Sequence, residues 1–199
     1  MSKRWVRERK REPYHKQAKR AGYRSRSAYK LKQINDRYNI IESRNTVVDL
    51  GAAPGGWLQV ASEIVGPSGR VVGVDIQNID PIDGITFLRG DLTKTETVDK
   101  IFKLVNKADV VISDMSPNIT GNYSMDHARS VDLAEHAYEV ANRLLKKNGN
   151  FLVKVFQGDL FDDYLKKVKT SFGFTKVHTP KASRKSSSEV YVIGKGFRG

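Results

Sequence analysis

Val47-Val-Asp-Leu-Gly-Ala-Ala-Pro-Gly-Gly-Trp57 reads as a β-branched strand that runs into a glycine-rich turn and then a helix. Glycines at such a turn let backbone approach a ligand with no Cβ in the way, and the helix N-terminus behind it presents unpaired N–H groups. Residue types exclude two common ligands. A phosphate-binding loop needs Gly-Lys-Ser/Thr after its spacer, whereas Gly56 is followed by Trp57 and Leu58. A dinucleotide fingerprint needs glycine where Ala53 stands.

From Thr46 onward, short β-branched runs alternate with helical stretches, the pattern of a parallel sheet with crossover helices. Strands are expected at residues 46–50, 70–74, 85–89, 109–113, 150–156, 174–178 and 189–193. Helices are expected at 56–65, 94–106, 126–147 and 159–171, with an earlier one at 27–38 that turns Ala28, Leu31 and Ile34 inward. The helix at 126–147 carries the clearest apolar stripe, Val131, Ala134, Tyr138, Ala141 and Leu145. Asp126 is placed to cap its start and Lys146-Lys147-Asn148-Gly149 to stop it. Residues 181–188, Lys-Ala-Ser-Arg-Lys-Ser-Ser-Ser, read as a polar loop between the last two strands.

Asp75 closes the second strand, 24 residues after Gly51, where nucleotide-binding βαβ units place a ribose-binding carboxylate. Asp91 follows the third strand in Leu88-Arg-Gly-Asp-Leu92. Either aspartate alone reads as a helix cap or turn residue. Together with a glycine turn that lacks phosphate chemistry they suit S-adenosylmethionine, which has an adenosine and a zwitterionic amino acid but no phosphate. The fourth strand ends in Ser113-Asp-Met-Ser-Pro-Asn118, and the fifth contains Phe151-Leu-Val-Lys-Val-Phe156. A lysine among strand-forming apolar residues is costly to bury unless it is paired or working. On an edge strand its head would instead reach solvent. In a doubly wound sheet the carboxyl ends of the strands form the ligand crevice, so Asp114 and Lys154 are expected to meet there.

The chain has 199 residues, room for one substantial core, and is 39% apolar and 29% charged, a globular composition. Its apolar runs are too short to span a bilayer. The absence of cysteine removes disulfide frameworks, thiolate zinc sites and cysteine nucleophiles, and a reducing, cytoplasmic location is expected. Residues 1–10 are charged with no apolar stretch behind them, so they read as no secretory signal. The net charge of +13 is unevenly spread: residues 1–30 hold 12 Lys/Arg against 2 Glu, 31–177 hold 18 basic against 19 acidic, and 178–199 hold 5 against 1. A basic N-terminal arm at 1–23 ahead of a single domain at 24–199 suits a polyanion partner. Trp5, Tyr14, Tyr23 and Tyr29 in and beside that arm offer faces on which bases can stack, the alternative being a solvated tail. The four histidines, His15, His127, His136 and His178, show no ligand spacing, so no metal site is expected.

Four separated motifs now stand together: Arg24-Ser-Arg-Ser-Ala-Tyr-Lys-Leu31, Asp49-Leu-Gly-Ala-Ala-Pro-Gly-Gly-Trp57, Ser113-Asp-Met-Ser-Pro-Asn118 and Val153-Lys-Val-Phe-Gln-Gly158. They resemble the FtsJ/RrmJ family of RNA ribose 2′-O-methyltransferases, in particular its large-subunit ribosomal RNA uridine enzymes, and the resemblance runs from about residue 24 to 193. It implies an α/β, Rossmann-like class I S-adenosylmethionine-dependent methyltransferase fold. In that fold a seven-stranded, mostly parallel sheet has its last strand antiparallel and helices on both faces. It implies a catalytic set of Lys30, Asp114, Lys154 and Glu189, the last from Ser186-Ser-Ser-Glu189-Val-Tyr191. It also implies cofactor contacts from Gly55, Trp57, Asp75, Asp91 and Asp114. The implied partner is RNA, large-subunit ribosomal RNA or the large ribosomal subunit foremost, met by a monomer with no membrane association. With no further domain after the last strand, extra grip on the substrate falls to the basic arm.

A ribose 2′-hydroxyl is a poor nucleophile, so such a site must align it with the methyl–sulfonium bond and take its proton as the new bond forms. Lys154 is the candidate acceptor; a charged Lys154 that only orients the hydroxyl stays open on sequence. Two other readings also stay open: the same chemistry on transfer RNA or a cap, and a catalytically silent RNA-binding module of the same fold. Amino-group methyl transfer is disfavoured, because the fourth strand ends in Asp114-Met-Ser-Pro117 rather than Asp/Asn-Pro-Pro-aromatic.

Overall fold

The computed structural model describes residues 13–184 and 187–199. In chain order the elements are α1 (Pro13–Arg20), α2 (Ala28–Tyr38), β1 (Thr46–Leu50), α3 (Gly56–Val65), β2 (Arg70–Asp75), β3 (Ile85–Arg89), α4 (Thr95–Val105), β4 (Ala108–Ser113), α5 (Tyr123–Leu144), β5 (Leu145–Phe156), α6 (Phe161–Ser171), β6 (Phe172–His178) and β7 (Glu189–Phe197). The strands form one sheet in the order β3-β2-β1-β4-β5-β7-β6. β1 to β5 pair in parallel, and β7 lies between β5 and β6, antiparallel to both. The expected seven-stranded sheet with a reversed last strand is therefore what forms. Its order reverses between β1 and β4, and the carboxyl ends of these two strands open the crevice where ligands bind in such sheets.

Strand periodicity sorts the core into two layers. Val48, Leu50, Val111, Phe151, Val153 and Val155 face α4, α5 and α6, while Val47, Val110, Ile112 and Leu152 face α2 and α3. The central strands are buried on both sides, which is why β4 carries three consecutive apolar residues, Val110-Val-Ile112, in place of a polar–apolar alternation. Ala28, Leu31 and Ile34 point inward from α2 as expected, and Val131, Ala134, Tyr138 and Ala141 do so from α5. Among the described residues, no helix is long and apolar enough to cross a membrane.

The departures have local causes. α5 starts three residues ahead of Asp126, with Asn122 as its cap: the Asn122 side chain accepts the Met125 N–H. Asp126 instead accepts the N–H groups of Thr120 and Gly121 and the Thr120 hydroxyl, which folds the preceding loop back onto the helix. The helix ends at Leu144 because Leu145 pairs with Ala108, so the lysine pair expected to close the helix begins β5. Asn148 takes a left-handed φ of 67° there. β6 begins earlier and β7 ends later than expected, since Phe172 pairs with Phe197. α1 has no counterpart among the expected helices; Pro13 opens it, but Ala18 is its one buried residue, too little for a visible stripe.

Of the expected basic arm, residues 1–12, Trp5 included, lie outside the described residues, as do residues 185 and 186 of the polar loop. The tyrosines expected as stacking faces are engaged within the fold. Tyr29 sits 5.8 Å from the rings of both Tyr14 and Tyr23, and the Tyr23 hydroxyl donates to Glu63. They dock α1 on α2. The loop after β6 is also anchored: the Ala182 N–H donates to the Gln33 side chain at 3.0 Å and Arg26 donates to the Ala182 carbonyl at 2.7 Å.

Candidate active site

The turn after β1 needs its glycines. Gly51 and Gly55 hold φ of 78° and 107°, and a Cβ on Gly51 would lie 2.1 Å from Met115 Cγ. Asp75 braces the turn from the end of β2: its Oδ2 accepts the Ala53 N–H at 2.9 Å and its Oδ1 the Gln77 N–H at 2.8 Å. Asp91 Oδ1 accepts the Thr93 N–H and hydroxyl, and these bonds, the backbone one foremost, hold its carboxyl below the ordinary range. Gly51, Asp75, Asp91, Asp114 and Met115 are among the residues lining a cavity of about 370 Å³ at the crevice. Trp57 lines a smaller cavity beside it, together with Asp49 and Asp114. The Trp57 indole N–H donates to the Ser27 carbonyl and its ring packs 5.9 Å from that of Tyr191. Gly55 lines neither cavity; it caps α3, with its N–H on the Ala52 carbonyl.

The four expected catalytic residues, Lys30 on α2, Asp114 just after β4, Lys154 on β5 and Glu189 on β7, form one cluster. Lys154 projects from β5, an interior strand, and is 7% exposed, so the edge-strand alternative falls away. Its Nζ donates to the Asp114 carbonyl at 2.6 Å and lies 3.1 Å from Asp114 Oδ1. Lys30, buried on α2, pairs with Glu189 at the start of β7 at 2.5 Å. The β5–β7 ladder sets Lys154 opposite Tyr191 and Phe156 opposite Glu189. Burial pushes the Asp114 carboxyl up, but Lys154, then Lys30, then the Tyr191 hydroxyl outweigh it, and the group is held below the ordinary carboxylate range.

Two participants escaped the sequence reading. Tyr191 donates its hydroxyl to Asp114 Oδ1 at 2.7 Å, and burial, with Asp114 and Glu189, keeps its phenol well above the usual value and hence a donor. The period of two was the available signal, since it places Tyr191 on the same face as Glu189. Asp49 is 1% exposed and neither of its carboxyl oxygens has a hydrogen-bond partner. Burial, with repulsion from Asp114 and Asp75, pushes its carboxyl well above the ordinary range.

An ammonium has three donors and a neutral amine two plus a lone pair. Asp114 supplies the two partners that Lys154 Nζ has among the described residues, so one position on the nitrogen remains, an N–H when charged and a lone pair when neutral. The cluster can thus hold a hydroxyl and accept its proton at one point, beside a cavity rich in carboxylates. Among the described residues no group of three or more His, Asp or Glu side chains is arranged to hold a metal ion.

A family model for FtsJ-like methyltransferases matches residues 23–197. Ribosomal RNA large subunit methyltransferase E of Methanothrix thermoacetophila is 58% identical over 183 residues, 92% of this chain and 71% of the relative. The protein of the same name from Methanocaldococcus jannaschii is 50% identical over 203 residues, 99% of this chain and 83% of the relative. Among solved structures, a Plasmodium falciparum protein described as a ribosomal RNA methyltransferase superposes with a TM-score of 0.79 at 26% identity, over 89% of this chain and 100% of that one.

Proposed function

The chain belongs to the FtsJ-like methyltransferase family, and on that premise we propose that it transfers the methyl group of S-adenosylmethionine to a ribose 2′-hydroxyl of large-subunit ribosomal RNA. The uridine expected from the motif resemblance is the acceptor to look for. A monomer acting in the cytoplasm, with its basic arm on the RNA, belongs to the same reading.

The residues fit the cofactor. S-adenosylmethionine is cationic at sulfur and at its amino group and carries no phosphate; the crevice offers Asp75, Asp91 and Asp114, with the unpartnered Asp49 beside them, and no lysine for a phosphate. Asp75 would take the ribose diol, Asp91 the adenine side, and the backbone at Gly55 and Trp57 with Asp114 the amino-acid end. The bound cofactor supplies an electrophilic methyl group.

The observation that carries the catalytic reading is Lys154, buried at the end of β5 with two of its directions occupied by Asp114. Its third direction holds the 2′-hydroxyl in line and accepts the proton as the oxygen–methyl bond forms. Asp114 keeps the lysine aimed and Tyr191 keeps Asp114 aimed. The Lys30–Glu189 pair closes the cluster on the α2 side and supplies charge next to the acceptor ribose.

The test is transfer of labelled methyl to protein-free large-subunit ribosomal RNA, intact large subunits and transfer RNA, with wild type and Lys154→Ala. Transfer to the ribosomal substrates, at a 2′-hydroxyl, and a loss of about hundredfold or more in Lys154→Ala are expected. Transfer to transfer RNA alone would replace the substrate, and no transfer to any of them would favour a silent RNA-binding module.

A further inference from the structure

A second cavity, of about 300 Å³, takes no part in the mechanism above. Ile119, Tyr123, His127, Phe156, Ser187 and Ser188 are among its lining residues. We infer that it receives an unpaired RNA base, the one carried by or adjacent to the acceptor ribose, stacked on the ring of Tyr123. This inference rests on the RNA reading of the neighbouring lysine cluster.

Position is the first argument. Phe156 lies two residues beyond Lys154 on β5, about 6.6 Å along the strand, and pairs with Glu189; Ser188 comes just before Glu189. A ribose and its base span a similar length. In the sheet order the β5–β7 side of β4 lies opposite the β1–β2 side, where the cofactor cavity sits, so RNA reaching Lys154 without displacing the cofactor passes over this cavity.

Tyr123 is the second. Its side chain is large and apolar, yet 61% exposed and held in place. The hydroxyl donates to the Gln157 carbonyl at 3.1 Å, and the ring lies 13° from parallel to His127, 6.2 Å between centroids. His127 is itself held, Nδ1 on the Phe156 carbonyl and Nε2 on the Leu160 N–H, which specifies the Nδ1–H tautomer. From the other side Asp126 gathers the Thr120 and Gly121 N–H groups. A single exposed apolar residue is ordinary, but Ile119 at 63% and Met125 at 44% flank this one. The result is a pre-oriented aromatic platform in a cavity that Ile119, Phe156, Asp126 and two serines also line, a mix of stacking face, apolar surface and polar groups of the kind unstacked RNA bases use.

The full chain is mixed with in vitro transcribed large-subunit ribosomal RNA, irradiated with ultraviolet light and digested, and the peptide bearing RNA is expected to contain Tyr123. In filter binding, Tyr123→Ala should raise the Kd for the same RNA about tenfold, equivalent to about 1.4 kcal/mol. Its Kd for S-adenosylmethionine should stay at the wild-type value, and Tyr123→Phe, which keeps the ring, should restore most RNA affinity. Cross-links confined to other segments, or equal RNA affinity of Tyr123→Ala and wild type, overturn the inference. Wild type that cross-links through Tyr123 but transfers no methyl defeats the catalytic reading and leaves this one standing. Transfer without any cross-link at Tyr123 does the reverse.

Discussion

A carboxyl group buried without a partner must ionise at a cost or keep its proton, and Asp49 is such a group. Its folded pKa is raised, so in unfolded chains it ionises first, above about pH 4, and from there native stability declines until the folded value is passed. Asp49→Asn should therefore melt higher than wild type at neutral pH in cofactor-free protein, the difference closing as pH falls towards about 4; thermal unfolding across that range checks it. Tyr191→Phe removes a hydrogen bond to a charged acceptor, a loss of about 1.5–3 kcal/mol in comparable cases, and should lower kcat at least tenfold while RNA affinity holds. Asp75→Ala should weaken S-adenosylmethionine by about 1–3 kcal/mol in calorimetric titration, part of it through the freed Ala53 N–H. Lys154→Arg keeps a cation that cannot accept a proton. Single-turnover rates as low as those of Lys154→Ala are expected, and near-normal rates would leave the lysine only an orienting role.

At the scale of elements, the loop that leads into α5 hangs on two side chains. Asn122→Ala removes the cap and should cost about 1 kcal/mol in chemical denaturation. The Asp126 carboxyl is held below its ordinary range, first by the Thr120 N–H, so its contribution is complete above about pH 4 and is lost as pH falls through the lower folded value. Melting curves of wild type and Asp126→Asn should accordingly differ at neutral pH and converge in acid. These two residues also show where the sequence was legible. Both can cap a helix, so the apolar stripe of α5 located the element, while its start depended on loop contacts that no spacing reveals. Strands announced themselves through β-branched runs bounded by turns, and Lys154 through its misfit among them. Tyr191 was readable in principle from the alternation that carries Glu189. The anchoring of Ala182 by Gln33 and Arg26, and the Tyr123–His127 stack, join residues whose pairing no local pattern records.

For the molecule as a whole, charge is segregated: residues 1–12 alone hold six Lys/Arg against two Glu, ahead of a domain that is close to neutral from 31 to 177. Deleting residues 1–12, which leaves α1 and its tyrosine contacts in place, should weaken RNA binding and flatten its salt dependence. Every phosphate that the shortened protein no longer neutralises should lower the log–log slope by about 0.7–0.9, with S-adenosylmethionine affinity unmoved. An unchanged slope would make the arm a solvated tail. The placement of β7 between β5 and β6 also sets an order in time. A chain made from its N-terminus can complete β1 to β5, and with them the cofactor cavity, while Lys30 still waits for Glu189, 159 residues away, and Asp114 for the hydroxyl of Tyr191. Contacts between such distant positions close slowly. The Lys30–Glu189 pair and the Tyr191–Asp114 hydrogen bond therefore close last, once β7 is seated between β5 and β6.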